Sequence, residues 1–389
     1  MMPGTRPGIV IGLDVGKASH WACVVACNGE ILASRPVANR ESAVDELYSE
    51  YPGALVVVDQ VRNIGALALS RAKAAGMPRA YLPGLAAHGA SKLFAGDAKT
   101  DERDAAVIAK TALGIPDALL PMPERTPEIE AARQLAAQRD FLTRENTRAK
   151  NRLRSILPES CPEFEARADL SDRATLSLMA ALGGPWSMAA ASPRAIGALA
   201  RKCGRAKAAA LLDSATASTE PSAAAVARED RAVRLLARRI SENAAEIEGL
   251  TAAISALLSA DETYRCLLTV PGIGPRTASE LVISVDIEDF PSHDRLASYC
   301  GLAPRNRQLG TSISSVSASR QGNKRLKNLL IFSCNCLTRS RNRWGEYYAR
   351  CRRRGMSHGQ ALKAVARKRL KVIYAIMRDK GPTSPSPHD

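Results

Sequence analysis

From residue 8 onward, apolar and polar positions fall into short runs separated by turn residues. Three such runs come first: IVIGLDV (9–15), HWACVVA (20–26) and ILASRPV (31–37). Their length and boundaries predict strands, and Asn28-Gly29 between the second and third is a hairpin signal. A helical pattern follows near 41–50, then the unbroken apolar run ALVVVD (54–59), a helix near 65–75 and a short strand around AYLP (80–83). Three antiparallel strands followed by alternating helices and strands describe a ribonuclease-H-like α/β layout over residues 8–115.

Beyond a linker marked by Pro116, Pro121, Pro123 and Pro127, the period changes to that of a helix. Ile129, Leu135, Leu142 and Leu153, set among many Arg and Glu, predict one long helix up to Pro158 of a bridging or coiled-coil-like kind. A second long helix begins near Arg228, with Leu235, Leu236, Ile240, Ile247, Leu250, Ile254 and Leu257 near helical spacing. The two are expected to pack as an antiparallel pair or to form an oligomer seam, within a helical region 125–260. Between them lies a Ser/Ala-rich stretch, about 160–225, of short helical pieces. The region 261–350 opens with CLLTVPGIGPRTASELVISV, a helix-hairpin-helix-like segment. There Gly272 and Gly274 would let backbone N–H groups approach a phosphate at a helix N-terminus, with Arg276 reaching the same backbone. A polar loop and mainly α structure follow, then a basic helix and a disordered tail over 351–389.

The length of 389 residues exceeds what one core usually organises, so two or three domains are expected. Charge sharpens the picture more than length does. Residues 301–380 carry twenty Lys and Arg against two acids, an excess of 18 where the whole chain has +16. So concentrated an excess fits a polyphosphate partner, nucleic acid first, because each neutralised phosphate releases condensed counterions. Arg305, Arg307, Arg320, Lys324 and Arg325 are the candidate phosphate contacts. The nine cysteines show no paired metal-ligand spacing and are expected to be reduced and mostly buried. With no long uncharged apolar run and an opening that leads into a strand, the protein is expected to be cytoplasmic and without membrane contact.

Four aspartates stand out against this frame. Asp14 ends the first strand, Asp59 ends ALVVVD, and Asp101 and Asp104 sit one helical turn apart in KTDERDAAVIAK behind Thr100, a candidate N-cap. Strand-end carboxylates on neighbouring strands and a helix face above them can converge on Mg²⁺ (or Mn²⁺), whose hard oxygen ligands phosphodiester chemistry requires. Gly16, in the turn after Asp14, is expected to keep space open beside it. Asp97 and Glu102 are nearby alternatives, the latter pointing about 100° away from Asp101.

In order, GLDVGK, VVVD, KTDERDA, VPGIGPRTA, FPSHDRLASYCGLAPRNR and SRQGNKRLKNLL closely resemble the transposases of the IS110/IS1111 insertion-sequence family. The resemblance covers the first 115 residues and roughly 260–350. It implies a RuvC-like domain whose acidic set is Asp14, Asp59, Asp101 and Asp104, with Asp59 at a position more often glutamate. It further implies DNA recombination with a structured non-coding guide RNA, and a serine nucleophile in the C-terminal transposase domain. Counting without gaps from Gly301-Leu302-Ala303-Pro304 and back from Gly322-Asn323 places Leu309 where that serine is expected; a shifted register would place Ser312 there. Because a serine needs activation, the resemblance implies an assembled complex, a homo-oligomer such as a dimer or tetramer, on donor and target DNA. The alternatives are a RuvC-like metal-dependent nuclease without serine chemistry and a strand-transfer-defective nucleic-acid-binding homologue.

Overall fold

The computed structural model describes residues 7–61, 63–94, 100–122, 125–192, 194, 211–215, 222–309, 313–318, 322–339 and 341–381, with backbone alone for 121, 304–309 and 313–318. The chain divides into two compact units, Met1–Glu124 and Arg125–Asp389.

In the first unit, β1 (Ile9–Asp14), β2 (Ser19–Ala26) and β3 (Ile31–Ala38) form the antiparallel meander, joined at the Asn28-Gly29 turn, where Gly29 has φ of 90°. Then come α1 (Glu41–Glu50), β4 (Leu55–Val58), α2 (Ala66–Ala74), β5 (Arg79–Tyr81), α3 (Gly84–Ser91), α4 (Asp101–Gly114) and β6 (Leu120–Pro121). The sheet order is β3-β2-β1-β4-β5-β6, with β4 parallel to β1, β5 parallel to β4 and β6 antiparallel to β5. Strand periodicity explains why β4 reads as continuously apolar: both its faces are covered. Leu55 and Val57 pack with α4 residues such as Ala105 and Ile108, whereas Val56 and Val58 pack with α1 and α2 through Leu47 and Ala68. This is the α/β layout expected from the apolar runs.

The second unit is mainly helical: α5 (Pro127–Ser160), α6 (Pro162–Arg167), α7 (Arg173–Leu182), α8 (Pro185–Ala189), α9 (Ala223–Leu257), α10 (Glu262–Leu268), α11 (Pro275–Ser284), α12 (His293–Tyr299), α13 (Lys324–Thr338), α14 (Arg343–Arg353) and α15 (His358–Asp379). α5 and α9 pack as an antiparallel pair. Ala132 and Ala136 near the start of α5 share a core with Ile254 near the end of α9, while Leu153 and Leu157 share another with Val233 and Ala237. The first core continues through α10–α15. There the buried Arg369 donates to Ser333 Oγ at 2.6 Å and to the Pro271 carbonyl at 2.6 Å, tying α15 to α13 and to the turn after α10.

One expected loop is a ribbon instead. β7 (Pro304–Leu309) pairs antiparallel with β8 (Ile313–Ala318), Leu309 opposite Ile313. ISSVSA has no period-2 apolar alternation, since Ile313 and Val316 are three residues apart, so nothing in its pattern distinguishes this strand from a serine-rich loop. Six of the eight described cysteines are buried, none of the eight forms a disulfide, and only Cys27 and Cys336 among them are exposed. Among the described residues no helix is long and apolar enough to cross a membrane.

Candidate active site

Register fixes the first two carboxylates. Leu13 lies opposite Val58 in the parallel β1–β4 pair, so the next residues, Asp14 and Asp59, leave neighbouring strands at the same sheet end. The third depends on a missing side chain. A Cβ on Gly12 would stand 2.5 Å from the Ala109 nitrogen and 2.6 Å from the Ala105 carbonyl oxygen. Only glycine lets the α4 backbone rest directly on β1, and that contact carries the first turn of α4 to the ends of the strands.

A cleft of about 460 Å³ results, lined by Asp14, Asp59 and Asp104 and bounded by His88, Ser91 and Arg103. Thr100 caps α4 as expected, its Oγ1 accepting from the Arg103 N–H at 3.2 Å. Asp101, the first residue of α4, is exposed and not among the cleft-lining residues. Glu102 turns toward the sheet edge and accepts from Ser34 Oγ at 3.1 Å. Asp97 lies outside the described residues. Gly16 has another role than the one expected: its Cβ would meet the Ser19 carbonyl oxygen at 2.2 Å, so glycine there permits the tight turn into β2 rather than clearing space beside Asp14.

The electrostatics centre on Asp59. Its Oδ1 is buried and accepts no hydrogen bond from the described residues. Burial raises its pKa above the usual carboxylate range; the backbone N–H groups of Asp59 and Gln60 oppose the shift, and the negative charge of Asp104 adds to it. Among the described residues no three His, Cys, Asp or Glu side chains stand close enough to enclose one ion. The cleft is therefore an open three-carboxylate pocket, not a preformed cage. His88, Ser91 and Arg103 carry no apolar-run or spacing signal and escape a reading of the sequence. Arg103 donates to the Phe94 carbonyl at 3.0 Å, tying the segment after α3 to α4 beside the cleft.

In the second unit, Gly272, Gly274, Arg276 and Arg325 line one groove of about 920 Å³. Gly272 has φ of 77° and a Cβ there would meet Leu337 at 2.8 Å, so tight packing against α13 already requires glycine. Gly274, in contrast, faces open space at the N-terminus of α11. Arg325 is held by Asp140 at 2.7 Å and by the buried Glu280 at 2.5 Å. The Glu280 carboxyl is raised in pKa by burial, and Arg325 draws it back down. Lys324 is exposed at the first residue of α13. Arg320 and Ser312 lie outside the described residues, and Arg305, Arg307 and Leu309 are described as ribbon backbone only.

Both units match models of transposases: residues 11–162 a model described as a transposase, and residues 264–349 one described as the transposase IS116/IS110/IS902 family. The chain is 35% identical over 383 residues to the insertion element IS110 uncharacterized 43.6 kDa protein of Streptomyces coelicolor, covering 96% of this chain and 94% of that one. It is 31% identical to the insertion element IS116 uncharacterized 44.8 kDa protein of Streptomyces clavuligerus, over 97% of each. The chain belongs to the IS110 family of insertion-sequence transposases. A pilin gene-inverting protein of Moraxella bovis is 33% identical over 126 residues, 32% of this chain and 39% of its own. A solved structure of T. thermophilus RuvC with a Holliday junction substrate covers 29% of this chain and 99% of that one at 19% identity and a TM-score of 0.24; the likeness is weak, and the sheet order itself defines the layout here.

Proposed function

We propose that this transposase cuts and exchanges DNA strands with divalent metal ions held at the cleft of Asp14, Asp59 and Asp104. The supporting observation is the convergence of the three carboxylates at one sheet end, with a buried Asp59 oxygen that has no hydrogen-bond partner among the described residues. An open pocket suits Mg²⁺ (or Mn²⁺), which keeps several waters and is commonly held by one or two carboxylates together with substrate phosphates. When bound, such ions supply charge stabilisation for the attacking and leaving oxygens of a phosphodiester. Asp14, Asp59 and Asp104 would hold them, and Asp101, at the start of α4, completes the acidic set implied by the family resemblance.

The covalent step assigned to this family needs a serine. Ser312 is the candidate in this chain: its Oγ would attack phosphorus, forming an O–P bond as a deoxyribose oxygen leaves, with the serine proton passing to solvent or a neighbouring base. Arg305, Arg307, Arg320 and Lys324 would offset charge on the phosphate, as would Arg325 on release from its acidic partners. A structured guide RNA pairing with donor and target DNA, and a dimer or tetramer, complete the proposed assembly, acting in the cytoplasm. Leu309, at the position expected for the serine, favours a second reading in which the metal cleft acts as a nuclease, or the protein binds nucleic acid without strand transfer. Trapping covalent protein–DNA adducts with element-end DNA, guide RNA and Mg²⁺ separates them. The proposal expects an adduct that Ser312→Ala abolishes; cleavage with free ends and no adduct would establish the nuclease instead.

A further inference from the structure

We infer that the groove of the second unit is a seat for unpaired DNA, with Phe332 as its stacking platform. The inference rests on the proposed action on DNA. It begins with an oddity of α13. Lys324, Asn328, Phe332 and Cys336 recur every four residues and form its exposed stripe. Lys324 and Asn328 suit water, and Cys336 is small. Phe332 is neither polar nor small, yet it is 65% exposed while Leu326 and Leu330 on the opposite face are buried.

Four elements, α13 itself among them, make the 920 Å³ groove, a volume within the usual range for a ligand site. α13 supplies Asn328, Leu329 and Phe332; the start of α11 and the turn before it supply Gly274, Pro275 and Arg276; α5 supplies Asp140, Thr143 and Arg144; and α9 supplies Thr251. The walls are rigidly spaced. Leu337 fills the room a side chain at Gly272 would need, and the buried Arg369 bonds both Ser333 of α13 and the Pro271 carbonyl.

Charge complementarity identifies the occupant. Three cations, Arg144, Arg276 and Arg325, line the groove with one acid, Asp140; Arg325 is paired with Asp140 and with the buried Glu280, which leaves Arg144 and Arg276 as the cationic rim. Arg139 adds to the same field. It is fully buried, its three guanidinium nitrogens have no hydrogen-bond partner among the described residues, and it is repelled by Arg276 and Arg325 while Asp140 and Glu280 partly offset that repulsion. An aromatic face beside a cationic rim is the combination that holds a single strand, the base stacked and the phosphate neutralised. A duplex, its bases already stacked and paired, could not use Phe332. Strand exchange on DNA exposes such unpaired segments, which is why DNA is the occupant assigned here.

The test is fluorescence anisotropy on the full-length protein in EDTA, with labelled oligo(dT), oligo(U) and a blunt duplex. Phe332→Ala is expected to weaken oligo(dT) binding about tenfold or more, the usual size of a lost base–aromatic stack, while Phe332→Trp restores it and duplex binding is unchanged. Unchanged oligo(dT) binding by Phe332→Ala would overturn the inference. So would tighter binding of oligo(U) than of oligo(dT), which would make the occupant RNA, or dissociation of an oligomer by Phe332→Ala with DNA affinity intact, which would make it a second copy. Because EDTA removes metal-dependent chemistry, a negative result here leaves the metal cleft standing, and failure of the aspartate variants to impair cleavage leaves this groove standing.

Discussion

Asp59 carries a charge that its surroundings oppose. Its pKa is raised in the folded protein, so folding favours the protonated form. This contribution is present at low pH and is lost as pH rises through the folded value. In EDTA at neutral pH, Asp59→Asn should therefore melt at or above the wild-type temperature, and scanning calorimetry should show the difference shrinking as pH falls. With Mn²⁺ added, the order should reverse, because wild type gains stability from the ion and the variant does not. Metal affinity should also weaken as pH falls through the raised pKa, where protons compete for the same oxygens. Arg369 is a buried charge of another kind, held by short hydrogen bonds to the Pro271 carbonyl and Ser333 although its Nε has no partner among the described residues: Arg369→Met should cost about 3 kcal/mol or more in denaturant unfolding, since it removes both of those bonds and leaves the Pro271 carbonyl without this donor.

Among elements, the contact of α4 with β1 decides whether there is a cleft at all. Gly12→Ala should destabilise the first unit by about 1–3 kcal/mol, because the added methyl meets backbone rather than a flexible side chain, and should lower metal affinity by lifting Asp104 away from Asp14. Chemical denaturation and Mn²⁺ titration of the same variant read the two effects. Much of this architecture was legible in the sequence. Apolar runs ending in aspartate placed Asp14 and Asp59, because a strand that finishes its core positions must surface there, and Thr100 announced the start of α4. What stayed hidden depends on packing across elements. Nothing local marks Gly12 as the residue against which α4 rests, or His88 and Arg103 as cleft neighbours. The ribbon β7–β8 was hidden by serine content, and Phe332 by its likeness to an ordinary core residue within an amphipathic helix.

At the scale of the whole molecule, acid and base are segregated. Carboxylates converge in the first unit, whereas residues 301–380 hold an excess of eighteen positive charges. Nucleic-acid affinity should accordingly collapse with salt, by roughly a thousandfold or more between about 50 and 200 mM if the basic region engages six or more phosphates; a filter-binding series in log salt would measure the slope. Each half has its own sign of failure: aspartate variants should bind DNA normally and not cut it, while charge reversal in the basic region should impair binding first. The most direct test of the central claim is Mn²⁺ binding by electron paramagnetic resonance, with and without DNA, comparing wild type with Asp14→Asn, Asp59→Asn and Asp104→Asn. Sequestration of Mn²⁺ by wild type, lost in all three variants, is the predicted result. Equal Mn²⁺ binding by wild type and the three folded variants would contradict it.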